Sequence, residues 1–112
     1  MKVKYIGNNF DEFFPEKEYS VLELLLGFNG FKYRLIAEDY EYSALYSVED
    51  FIITDHTLYK DWIINKIDSN LKSEFYELIP KAWNYTEFWE NFYNGNKKEK
   101  EIFYNEIQKM KL

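Results

Sequence analysis

The residues able to do chemistry are few and scattered. His56 is the only histidine and stands beside Asp55. A metal site needs several His, Cys or carboxylate ligands converging, so a histidine at the start of a helix is the better reading. The chain has no cysteine, which excludes thiolate nucleophiles, thiolate metal sites and disulfides. A single histidine recommends no particular serine as a nucleophile. Carboxylates adjoin at Glu38/Asp39 and Glu49/Asp50. Neighbours in sequence mark a solvated turn, whereas acid–base pairs face each other across the reacting bond. The four glycines are dispersed and form no phosphate-binding loop. No catalytic residue, metal site or cofactor is expected, and the chain reads as non-enzymatic.

The charges are more informative. The net charge is −6 over 112 residues. Residues 1–55 carry five basic and eleven acidic groups, while the later Lys and acidic residues cancel. This argues against direct nucleic-acid binding, which needs clustered Lys and Arg against phosphates. It favours a basic partner protein, with Glu38, Asp39, Glu41, Glu49 and Asp50 as the candidate partner-binding residues. Acidic surfaces also serve solubility alone. The longest apolar run, Leu24 to Leu26, is far too short to span a bilayer, and no signal peptide is expected at the N-terminus. Absent cysteines fit a reducing compartment. A soluble, cytoplasmic protein without a membrane partner is expected, as a monomer or weak dimer.

Ten Phe and eleven Tyr supply large buried areas for a short chain. They are densest from Trp83 to Tyr93. Most of these rings are expected to fill a seam between two layers; an aromatic hot spot on an interface is the alternative.

Two kinds of element must hold these residues. Val3 and Tyr5 alternate with Lys2 and Lys4, the period of a half-buried strand. The loop from Phe10 to Pro15 carries aromatics that can plug a core. Tyr19 to Leu26 reads as a second strand, apolar on both faces, so that one face needs a cover; its leucines also permit a helix. Asn29-Gly30 predicts a hairpin turn. Phe31 to Ala37 gives the third strand and Tyr42 to Tyr46 the fourth. Ser47 to Asp50 reads as a helical turn, and Phe51 to Thr54 as a closing strand. After Asp55 the period changes. Tyr59, Ile63, Ile67, Leu71, Phe75 and Ile79 recur every four residues, which predicts a helix capped by Asp55 or Thr57 and stopped by Pro80. Asp68 to Asn70 is a candidate break that would make it two helices. Asn84 with Glu87 predicts a capping box for a short helix carrying Tyr85, Phe88, Trp89 and Phe92 on one face. Gly95 ends that helix. Asn96 starts a last one, with Ile102, Phe103, Ile107 and Met110 inward.

Lys4-Tyr5-Ile6-Gly7, Lys17-Glu18-Tyr19-Ser20-Val21-Leu22, Tyr33-Arg34, Leu45-Tyr46 and Phe51-Ile52-Ile53 resemble small SH3-like domains of uncharacterised bacterial proteins. Those run Tyr-Ile-Gly, Gly-Lys-x-Tyr-x-Val-Leu, Tyr-Arg-Ile, Leu-Tyr-Pro and Phe-x-Ile-Val. Glu16 stands where that pattern has Gly, and Ser47 where it has Pro. The resemblance covers about half of the chain and implies a five-stranded SH3-like barrel over residues 1–55. With the helical extension that periodicity predicts over 56–112 and no low-complexity linker between, an α+β chain packed as one cooperative unit is expected. It implies no reaction. Ala44-Leu45-Tyr46 is similar to a segment of the SH3 domains that bind proline-rich peptides, but lies too near the barrel's end to imply that activity. The stretch 83–93 resembles the Trp-rich C-termini of small immunity proteins that neutralise bacterial polymorphic toxins.

The expected function is therefore protein binding, as an immunity protein or inhibitor whose acidic barrel face covers a toxin. Two alternatives remain open at this stage. One is a phage-type acidic inhibitor that mimics nucleic acid; the other is a small ligand-binding or hydrolytic barrel, which would show a deep pocket with convergent polar groups.

Overall fold

A computed structural model describes residues 1–8, 11–27, 30–38, 43–68 and 74–111. The chain is α+β, with two sheets followed by helices. β1 (Lys2–Tyr5), β2 (Glu18–Ser20) and β6 (Phe51–Asp55) form a three-stranded sheet in the order β2-β1-β6. β3 (Glu23–Gly27), β4 (Gly30–Leu35), β5 (Ala44–Ser47), β7 (Trp62–Asp68) and β8 (Glu74–Pro80) form a second sheet in the order β5-β4-β3-β8-β7. All described pairings are antiparallel. The hydrogen bonding makes two sheets rather than one closed barrel.

The expected strand Tyr19 to Leu26 is divided between these sheets. Val21 N–H donates to Met1 O at 3.0 Å, and Leu22 N–H to Arg34 O at 3.0 Å. Consecutive residues thus bond to different sheets, and the chain turns from one to the other. The turn before the closing strand is present as a 3-10 turn, Val48–Asp50, followed by β6. Of the fourth expected strand, Tyr42 lies outside the described residues, and the rest appears as β5. Gly30 carries the positive φ of 103° that the expected turn requires; Asn29 lies outside the described residues.

The predicted helix over 57–79 is not there. Its described parts are β7 and β8, paired Ile63↔Ile79 and Ile67↔Phe75. A spacing of four puts residues on one face of a helix, but four is also a multiple of two. Ile63 and Ile67 therefore share a strand face as well. The run Trp62-Ile63-Ile64, an aromatic followed by two β-branched residues, resolves the ambiguity toward a strand. Leu71 and the segment Ser69-Asn70, which might have split a helix, lie outside the described residues.

Two cores lie on opposite sides of the second sheet. The first gathers Val3, Tyr5, Phe13, Tyr19, Leu24, Tyr33, Leu35 and Phe51. Phe13, from the loop before Pro15, is the plug: its ring meets those of Tyr5, Tyr19, Tyr46 and Phe51 at centroid distances of 4.8 to 5.4 Å. The second core gathers Leu22, Ile79, Trp83, Phe88, Phe92, Phe103 and Ile107. It lies under α1 (Phe88–Tyr93) and α2 (Lys97–Lys111). A strand period puts Leu22 and Leu24 on one face and Tyr19 and Val21 on the other, but the structure differs. Leu24 enters the first core with Tyr19 and Val21, and Leu22 enters the second, because the chain passes from one sheet to the other at Val21 and Leu22.

Asn84 does not cap α1. The helix begins at Phe88 with Glu87 at the N-cap and no side-chain cap bond. A short 3-10 turn, Lys81–Trp83, comes before it and displaces the start. Gly95 does end α1, at φ 83° with its N–H on Phe92 O at 3.0 Å, and Asn96 directly precedes α2.

Candidate interaction surfaces

The acidic residues singled out from sequence do not gather at one place. Glu38 follows β4, at the end where Leu35 pairs with Ala44. Its carboxylate is hydrogen-bonded by Lys17 and by the Tyr19 hydroxyl at 3.2 Å. The Lys17 bond, with help from Tyr19, holds it below the usual carboxylate range. Glu49 and Asp50 belong to the 3-10 turn that follows β5, at the other end of the β4–β5 pair. Glu49 is exposed. Asp50 O accepts the Ile6 N–H at 2.8 Å, which anchors the turn to the start of the chain. Asp39 and Glu41 lie outside the described residues. His56 is exposed in the irregular stretch between β6 and β7, not at a helix start. Among the described residues no three His, Cys, Asp or Glu side chains are grouped to hold a metal ion, and no helix is long and apolar enough to cross a membrane.

The aromatic stretch 83–93 divides by residue. Trp83, Phe88 and Phe92 are buried, with Trp83 and Phe88 sandwiched at 5.7 Å and Phe92 against Phe103 at 4.5 Å. Tyr85 and Tyr93 keep exposed rings.

Sequence reading missed a second feature because it depends on β7 and β8. Register places two rows of side chains on the face of the second sheet that carries the first core. One row runs Ile64, Leu78, Leu24, Tyr33; the next runs Lys66, Tyr76, Leu26, Phe31. The first core covers Leu24 and Tyr33, but it does not reach the far ends of the rows. Phe31 is 53% exposed, Tyr76 42% and Ile64 65%, with Leu26 and Leu78 half-buried between them. The 3-10 turn bearing Glu49 packs against β4 and follows Ser47, which pairs with Lys32, the neighbour of Phe31 in sequence. A sheet face of this kind costs solubility unless something uses it.

A third feature is polar and buried. Glu23 and Arg34 face each other across β3 and β4 and are 2% and 8% exposed. Arg34 Nε donates to Glu23 Oε2 at 2.9 Å. Its guanidinium lies 3.9 Å from the Trp89 ring centroid and donates to the Tyr93 hydroxyl at 3.1 Å. That hydroxyl donates to Ser43 O at 3.0 Å. The guanidinium thus joins the sheet to α1 through an ion pair, a hydrogen bond and a ring face. Burial pushes the Glu23 carboxyl up from 4.5 to about 7, against the pull of Arg34 and aided by a hydrogen bond with the Glu77 carboxyl. Glu23 lies sealed beneath the helices, so its protonation bears on packing rather than on a reacting molecule. Its sequence signal was a lone acid inside the apolar run Val21 to Leu26.

Finally, two cavities of about 820 and about 580 Å³ share Lys60, Asp61 and Lys109 in their walls. They lie where the start of β1, the 57–61 stretch and the end of α2 meet. No protein-family model, curated protein or solved structure matches this chain.

Proposed function

We propose that this chain is a non-enzymatic protein-binding protein of the immunity or inhibitor type, acting in the cytoplasm. It covers a basic face of its partner, a toxin being the partner class that fits best. The carrying observation is the uncovered apolar sheet face of Phe31, Tyr76 and Ile64 with the exposed carboxylate of Glu49 on its border. Apolar side chains would supply the buried centre of such a contact, and carboxylates its steering rim. The negative excess of residues 1–55 supports a basic partner.

We also assign residues 1–55 to an SH3-like arrangement. Four features support it: β1 lying between β2 and β6, the bend between β2 and β3, the β3-β4-β5 meander, and the 3-10 turn before β6. Glu16 adds to them. It has φ 67°, the only positive value at a described non-glycine residue, at the position where the resembling domains carry glycine.

The test is co-purification of the partner followed by binding kinetics. A Phe31→Asp/Ile64→Asp variant with an unchanged melting temperature should lose roughly a hundredfold or more in affinity. Glu49→Lys should slow association at low salt and matter less as salt rises. A partner bound equally well by both variants overturns the reading.

A further inference from the structure

The joined cavities lie at the Lys2–Asp55 end of β1 and β6, away from the 3-10 turn at the other end of β6. Their charge runs opposite to that of the whole chain. Two of the three carboxylates in their walls accept a local hydrogen bond. Asp55 Oδ1 accepts the Thr57 N–H at 2.9 Å. Asp61 lies 3.2 Å from the Tyr59 hydroxyl, whose single proton goes to the nearer Glu106. Glu106, almost fully buried, accepts the Tyr59 hydroxyl at 2.8 Å and the Lys109 ammonium at 3.1 Å. The lysines are treated differently. Lys2, Lys60, Lys81 and Lys111 are exposed, line the two cavities, and form no ion pair among the described residues. With five lysines against three carboxylates in its walls, the groove carries an excess of positive charge on a protein of net charge −6, although Lys2 pairs across the strands with Asp55. Between the lysines its wall is apolar, with Leu58 54% exposed and Met110 half-buried.

We propose that this groove docks an extended acidic segment of a partner polypeptide, with carboxylates on either side of an apolar residue. The charges are spread along the groove, from Lys81 in the smaller cavity to Lys2 and Lys111 in the larger. That distribution matches separated carboxylates rather than one compact phosphate. A nucleic-acid strand would bring the repulsion of the acidic remainder of the chain with every further phosphate. A short peptide meets only the local field, and its apolar side chain has Leu58 and Met110 to rest on. The inference is independent of the sheet face with Phe31 and needs no particular partner there.

The test is a two-dimensional amide NMR titration of the full chain with the capped hexapeptide Glu-Leu-Glu-Glu-Leu-Glu, with an oligothymidylate and inorganic phosphate as parallel arms. The expected result is saturable shifts at Leu58, Lys60, Lys81 and Met110. A Lys60→Glu/Lys81→Glu variant should bind the peptide roughly tenfold more weakly or worse. Lys98→Glu, on the exposed first turn of α2, should bind as the unaltered chain does. Both variants change exposed side chains and should keep the parent spectrum. Peptide shifts absent at millimolar concentration, or unaffected by the double reversal, overturn the proposal. Tighter binding of the oligothymidylate or of phosphate at the same residues overturns the assignment to an acidic peptide.

Discussion

The two faces of the five-stranded sheet are finished in different ways. The face toward the helices is closed: Leu22 and Ile79 lie under Trp83, Phe88, Phe92 and Phe103, and a buried Arg34 reaches from the sheet to Trp89 and Tyr93. The opposite face is closed over β3 and β4, where Leu24 and Tyr33 join the first core, with Tyr46, Trp62 and Leu78 packed against it. Beyond them it is open at Phe31, Tyr76 and Ile64. One sheet thus serves as the wall of two cores and also as a free surface. Residues of the same type carry stability on one side and are available for contact on the other, and cross-strand register decides which.

The largest expected effect comes from removing one side altogether. Residues 1–55 alone would keep β3 without β8 and leave Leu22 and Ile36 without the helices that cover them. We expect the fragment to aggregate; a dispersed NMR spectrum from soluble 1–55 would break the comparison. Single truncations sharpen it. Phe103 is fully buried and Phe31 is half-exposed. Phe103→Ala should cost about 3–5 kcal/mol and Phe31→Ala less than about 1 kcal/mol, both read by urea denaturation. Similar losses at the two sites would mean that the open face is structurally closed.

The buried acid gives a pH test. The Glu23 carboxyl is raised in the folded chain to about 7, so folding favours its protonated form. Its contribution is present in full below about 4.5 and is lost as pH rises from there to about 7, by up to about 3 kcal/mol. Asp55 and Glu38 are shifted the opposite way, by hydrogen bonds with Thr57 and Lys17 respectively. Their contribution is lost as pH falls. Melting temperatures should therefore fall from pH 5.5 to 7.5 in the parent chain, and Glu23→Gln should flatten that slope. A parent chain that gains stability over this interval contradicts the burial of a protonated Glu23. The smallest effect belongs to Glu16, whose φ of 67° strains a residue with a side chain. Glu16→Gly should stabilise by roughly 0.5–1 kcal/mol, the exposed contact with Lys4 contributing little. A destabilised Glu16→Gly chain would show that the Lys4 contact outweighs the strain.

Much of the fold was legible where one period fitted and another did not. Lys2 to Tyr5 alternates at two, and the inward Phe103, Ile107 and Met110 of α2 fit only a helix, because the step of three from Ile107 to Met110 would change faces in a strand. The hairpin of β7 and β8 was not legible, because isoleucines at a spacing of four satisfy both periods. With those strands read as a helix, the open sheet face could not be anticipated, since Ile64 and Tyr76 reach it only through register. The groove lysines come from positions as distant as Lys2 and Lys111, and Glu23 meets Arg34 only through strand pairing. The acidic positions were visible as charges. Their separation to opposite ends of the β4–β5 pair was not, because it depends on which strand follows which turn.

The shared sheet requires that its two cores unfold together. Urea denaturation can follow both at once. In a Trp62→Phe variant, which removes the one tryptophan packed against the first core, Trp fluorescence reports the helix-side core through Trp83 and Trp89, and methyl NMR signals of Val3 and Leu35 report the other core. The transitions should superimpose with a single midpoint. Two separated midpoints, with the Val3 and Leu35 signals native-like after the fluorescence change is complete, would contradict a sheet that holds both cores in one cooperative unit.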